Sequence, residues 1–186
     1  MNHSLLGFLT GIVVQTSCGV DFGGLASVQY SLEFWIKADA DAGDQSQSGF
    51  GYILDNEQFI GPRSGWDIIF SRDSITFERR GADGGEFGAP AYTGGSMPVG
   101  AGAWHYVVVS YDGTTGTETI WLDNLLADNE QDVPGATPGG DAGWKIAAQN
   151  CMCSGNLFSG ILDELAIYDK ALDSDTVNSH WMASGR

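Results

Sequence analysis

The chain has 186 residues, with eight Lys and Arg against 24 Asp and Glu, and a formal charge of −16. Hydrophobic residues at 42% and aromatics at 11% exclude an intrinsically disordered chain, and the length favours one domain. Only Arg79 and Arg80 are adjacent among the cations, so nucleic acid and anionic lipid headgroups are excluded as partners, whereas Ca2+ and neutral polysaccharides suit the charge.

In chain order, the apolar stretch over residues 5–14 is too short to span a bilayer, and no Lys or Arg precedes it as a signal peptide requires. It reads as a first strand, and no membrane insertion is expected. Cys18, Cys151 and Cys153 cannot all pair internally; Cys18 can bridge to one of the others if the terminal strands neighbour, and free buried thiols are the preferred reading. Residues 30–38 alternate with period two, Tyr30, Leu32, Phe34 and Ile36 on one face and Ser31, Glu33 and Lys37 with Trp35 on the other. Residues 66–71 repeat the pattern with Trp66, Ile68 and Phe70, and residues 74–80 set Ile75 and Phe77 against Thr76, Glu78 and Arg80. The run 104–111 is apolar on both faces, as a central strand would be, and 117–122 and 157–168 complete the strands.

Turns at Asp83-Gly84-Gly85, Asp112-Gly113 and Asp123-Asn124 separate these runs, and residues 39–51 and 129–143 read as long loops. The late helix signal is Asp173 or Ser174 as cap, Val177 and Trp181 four apart, and Gly185 beyond the end. This pattern predicts one all-β domain over residues 1–186: a two-sheet antiparallel jelly-roll sandwich with a short C-terminal helix.

Several motifs resemble one family. The segment Ala103-Trp104-His105-Tyr106-Val107-Val108-Val109-Ser110-Tyr111-Asp112-Gly113, then Ile120-Trp121-Leu122-Asp123-Asn124, is similar to the W-strand-YDG and YVDG hairpin of laminin-G-like domains. Phe158-Ser159-Gly160-Ile161-Leu162-Asp163-Glu164-Leu165-Ala166-Ile167-Tyr168 resembles their closing strand, and Ser31-Leu32-Glu33-Phe34-Trp35-Ile36-Lys37 an early one. Asp123-Asn124 departs from the family's Asp-Gly. The resemblance runs from about Asp21 to the C-terminus and implies a concanavalin A-like, laminin-G-like jelly roll, an extracellular or cell-surface setting, and a Ca2+ near the closing strand.

Glucanases of this fold carry paired carboxylates in E-x-D-x-E spacing, and no strand here has it; adjacent Asp163 and Glu164 point to opposite faces of a strand. With no G-x-S-x-G elbow either, the chain is not expected to be an enzyme. Asp163 shares a strand face with Ile161, Leu165 and Ile167, and a carboxylate in an apolar row requires a metal, an opposite charge or backbone donors. Ca2+ meets that requirement as an oxygen-seeking ion, with Asp21 as candidate partner ligand; the competing reading has Asp163 capping backbone N–H groups. The acids Asp39, Asp41 and Asp44 read as a solvated loop, and His105 as a structural histidine.

Trp66 and Trp144 each follow a Gly-containing loop and, with Tyr52 and Tyr92, form a candidate aromatic platform for sugar rings at the sandwich rim. Trp35, Trp104, Trp121 and Trp181 read as packing residues. The sequence therefore points to a non-catalytic recognition module for carbohydrate, or for a glycoprotein or matrix surface, with a structural Ca2+. The alternatives are a structural or protein-interaction module of a larger surface or virion protein and, as outsider, a glycan-cleaving enzyme.

Overall fold

The computed structural model describes residues 5–9, 12–14, 18–20, 28–40, 42, 50–57, 65–71, 74–80, 91–93, 99, 101–131, 134, 144–148 and 156–185. They form β1 (Leu5–Leu9), β2 (Ile12–Val14), β3 (Cys18–Val20), β4 (Gln29–Ala38), β5 (Phe50–Asp55), β6 (Gly65–Ser71) and β7 (Ser74–Arg80). There follow β8 (Ala91–Thr93), β9 (His105–Asp112), β10 (Thr117–Leu122), β11 (Leu125–Gln131), β12 (Trp144–Ile146), β13 (Gly160–Tyr168) and α1 (Ser174–Ser184). One sheet runs β1-β13-β4-β9-β10-β11, with β2 also paired to β13; the other runs β3-β12-β5-β6-β7-β8. Every strand pairing is antiparallel.

The two sheets stack because alternate residues of each strand are apolar and need cover. Tyr30, Leu32, Phe34 and Ile36 of β4, Val107, Val109 and Tyr111 of β9, and Trp66, Ile68 and Phe70 of β6 meet in one buried core. A second apolar cluster lies on the outer face of the first sheet, where Trp35, Tyr106, Val108 and Trp121 are covered by Val177 and Trp181 of α1. The face that read as polar along β4 thus carries Trp35 to seat the helix; Trp181 stacks on Trp35 at 5.5 Å and 20°. Asp173 caps α1 by accepting the Thr176 N–H at 2.9 Å, and Gly185 at φ 67° ends it.

The closing strand departs from simple alternation. Asp163 pairs with Trp35, but the next printed pair is Ala166 with Glu33, so three steps of β13 face two of β4. Glu164 takes up the extra residue at φ 53°, in the left-handed region. The bulge reverses the facing of everything after it: Leu162, Leu165 and Ile167 point into the core, while Asp163 points outward beside Trp35. The expectation that Asp163 stands in one apolar row with Leu165 and Ile167 is corrected accordingly. Its carboxylate is half-buried, and its Oδ1 accepts the Glu164 N–H at 2.9 Å, capping the bulge.

Strands β5 and β12, and most of β11, were not expected as elements. Strand β5 begins at the end of a stretch that read as loop, β12 is three residues long, and both are fixed by register with neighbours rather than by a strong local pattern.

Candidate functional site

The outer face of the six-stranded sheet gathers three acids. Trp66 and Ile68 of β6 point inward, so Asp67 between them points outward, as does its cross-strand partner Asp55 at the end of β5. The chain leaves β5 in a tight reversal: the Asn56 N–H donates to the Trp66 carbonyl at 2.9 Å and the Glu57 N–H to Asp55 Oδ1 at 2.6 Å. Gly65, at φ 109°, makes this approach feasible, since a Cβ there would collide with the Asn56 carbonyl oxygen.

Ligand oxygens of Asp55, Glu57 and Asp67 all lie within 4.8 Å of one another, and the three residues are 0%, 1% and 1% exposed. Three carboxylates held together away from water require protons or positive charge. The donor set is all hard oxygen, and two ligands on opposite sides of a Ca2+ ion, at ~2.3–2.6 Å each, lie about 4.6–5.2 Å apart. The trio therefore fits a divalent oxygen-seeking cation. Burial also means that a sugar ring has no access to these acids. The sequence signal was Asp55-x-Glu57, a pair on one strand face, but Asp67 joins it only through the β5–β6 register.

The expected ion ligands behave differently. Asp163 lies on the opposite sheet, and Asp21 lies outside the described residues. The expected aromatic platform is likewise not assembled. Trp66 is fully buried, opposite Arg79 on the inner face and 6.2 Å from Tyr30, because its alternation with Ile68 and Phe70 carries it into the core. Its assignment to an exposed rim is corrected. Tyr52 is buried at the outer face, edge-on to Phe50 at 5.7 Å. The backbones of Trp144 and Tyr92 lie in β12 and β8, and their side chains, like Asp41, Asp44, Cys151 and Cys153, are outside the described residues.

Trp104, expected to pack, is instead 36% exposed at the start of β9. Beside it, His105 is structural as expected: Nδ1 lies 2.8 Å from Asp123 Oδ2, while Asp123 Oδ1 accepts the Tyr106 N–H at 2.9 Å, tying the β10–β11 turn to β9. Under α1, Glu33 Oε2 lies 2.8 Å from His180 Nδ1. Burial, and then the Glu33 carboxylate, push the Tyr106 and Tyr168 hydroxyls well above the ordinary tyrosine range.

A family described as the Concanavalin A-like lectin/glucanases superfamily, laminin G type, matches residues 12–178. No curated protein matches the chain. Among solved structures, the binding domain of botulinum neurotoxin DC in complex with SialylT superposes with a TM-score of 0.66 at 13% identity, covering 90% of this chain and 38% of that one. The ligand-binding domain of botulinum neurotoxin serotype D in complex with N-acetylneuraminic acid gives 0.65 at 11% identity, covering 95% and 46%. At such identities the likeness is one of fold, and this chain spans less than half the length of those binding domains.

Proposed function

Because this chain belongs to the laminin G type of the concanavalin A-like lectin/glucanases superfamily, we propose that it is a non-catalytic recognition module that binds carbohydrate or a glycan-bearing surface, in an extracellular setting. The observation that carries the reading is the sealed acid trio. Asp55, Glu57 and Asp67 are close enough together to hold an ion, but they are buried where a glycosidic bond cannot reach them. Ca2+ there would supply the positive charge that three buried carboxylates need, and so join β5 to β6. The fold's other known use, glycan hydrolysis, needs an open pair of carboxylates. No helix among the described residues is long and apolar enough to cross a membrane, which fits a surface-recognition role without proving a compartment.

Glycan arrays and affinity gels containing soluble polysaccharides test the function: retardation or spot binding is expected, and its complete absence overturns the carbohydrate reading. A second reading, the protein-interaction module, is favoured by one feature, the exposed Leu125 and Leu126 on edge strand β11. For the ion, thermal melts in Ca2+ are expected to exceed melts in NaCl of matched ionic strength, since a ligand of the native state raises stability. Asp67→Asn is expected to erase that difference. Equal melts in Ca2+ and NaCl would remove the ion from the proposal.

A further inference from the structure

The helix leaves part of the first sheet's outer face open. Ring contacts of α1 with the sheet reach Trp35 of β4, at 5.5 Å from Trp181, and Tyr106 of β9, at 5.7 Å. The row beyond them on the same face starts with Ile161 of β13 opposite Lys37 of β4. Register then carries it to Trp104: Trp35 faces Tyr106 and Ile36 faces His105, so the next step sets Lys37 beside Trp104. Ile161 and Lys37 are half-buried and Trp104 is exposed, in contrast to the closed row beneath the helix. Asp163, turned to this face by the bulge, borders the row one step back along β13. The carboxylate of Asp123, 36% exposed, closes the side next to β9.

We infer that this row is a shelf for an uncharged oligosaccharide, with the Trp104 indole as the stacking surface and Lys37 and Asp163 as hydrogen-bonding groups. Three observations support it. Trp35, Trp66 and Trp121 are buried, whereas Trp104 keeps a large apolar ring in water, an exposure that forgoes roughly 1.5–3 kcal/mol of burial. Pyranose rings present C–H faces that suit such a ring, and the polar atoms flanking it suit hydroxyls. The ligand's charge follows from the molecule's: at −16, with two carboxylates at the shelf and one ammonium, sialylated, sulfated or uronic-acid glycans are repelled while neutral hexoses are not. This deepens the carbohydrate reading above and rests on it.

The test is affinity electrophoresis of the full chain in gels containing neutral polysaccharides (β-1,3-glucan, xylan, galactan and mannan), with sialyllactose as a charged competitor. Wild type is expected to be retarded by at least one neutral polymer. Trp104→Ala is expected to raise the dissociation constant on the order of tenfold, as loss of an aromatic anchor does. Trp104→Phe, which keeps a ring, should retain most of the binding, and the melting temperatures of both variants show whether the fold is intact. If no neutral polymer retards wild type, this shelf and the carbohydrate reading fall together. If wild type and a folded Trp104→Ala are retarded equally, the shelf alone falls. If sialyllactose competes efficiently, the neutral class of ligand is overturned.

Discussion

Single side chains show how far local pattern reaches. Trp66 belongs to the alternation with Ile68 and Phe70, and that alternation, rather than the Gly-containing loop before it, decides where its ring goes. Asp112 is a case where local chemistry was readable: the Asp-Gly signal is a turn, and the structure shows why. Its Oδ1 accepts the Thr114 hydroxyl at 2.6 Å, the Gln29 amide at 2.8 Å and the Thr114 N–H at 2.9 Å. These donors, the Thr114 hydroxyl first, hold its carboxyl below the usual range. A carboxyl with a depressed folded-state pKa adds stability that is full above its unfolded value and disappears as pH falls through the folded one. Wild type should therefore lose its advantage over Asp112→Ala between about pH 5 and pH 2, in urea titrations at stepped pH. At pH 7 the variant should be less stable by on the order of 1 kcal/mol. A difference unchanged at pH 2 would mean the carboxylate's charge is not what holds the turn.

At the level of elements, the helix and the central strands were legible because each has a strong period and clear ends. The β13 bulge was not. Nothing in Leu162-Asp163-Glu164-Leu165 distinguishes it from an uninterrupted strand, and the interruption appears only against the register of β4. The acid trio was hidden for a related reason, since it assembles across the β5–β6 pairing. Glu164 makes the bulge testable. A side chain at φ 53° costs roughly 1–2 kcal/mol, which glycine does not incur and a β-branched residue incurs more heavily. Glu164→Gly should be neutral or slightly stabilising, while Glu164→Val should lose about 1–2 kcal/mol in chemical denaturation. Should valine be tolerated as well as glycine, β13 would run without the reversal, and Asp163 would no longer face the helix side.

Over the whole molecule, the sandwich was readable because most strands keep one apolar face, yet what fastens the two layers is partly polar. Arg79 of β7 and Glu118 of β10 belong to different sheets, meet at 2.7 Å, and are 3% and 0% exposed. The guanidinium also lies 4.1 Å over the Tyr111 ring. Burial by itself would loosen the Arg79 proton, but the Glu118 carboxylate more than offsets it, and the net shift is upward. The alternation Ile75, Phe77, Arg79 pointed inward all along; it read as ending at Phe77 because a cation is an improbable core residue. Removing one partner should cost far more than exchanging both, since a lone buried charge is worse than an apolar pair. Glu118→Gln should lose about 3–5 kcal/mol, while Arg79→Met with Glu118→Leu should regain most of it. Urea unfolding of the two singles and the double gives the coupling directly. A Glu118→Gln loss near 1 kcal/mol would instead place the joining of the sheets in the aromatic set of Tyr30, Trp66, Phe77 and Tyr111 around the pair.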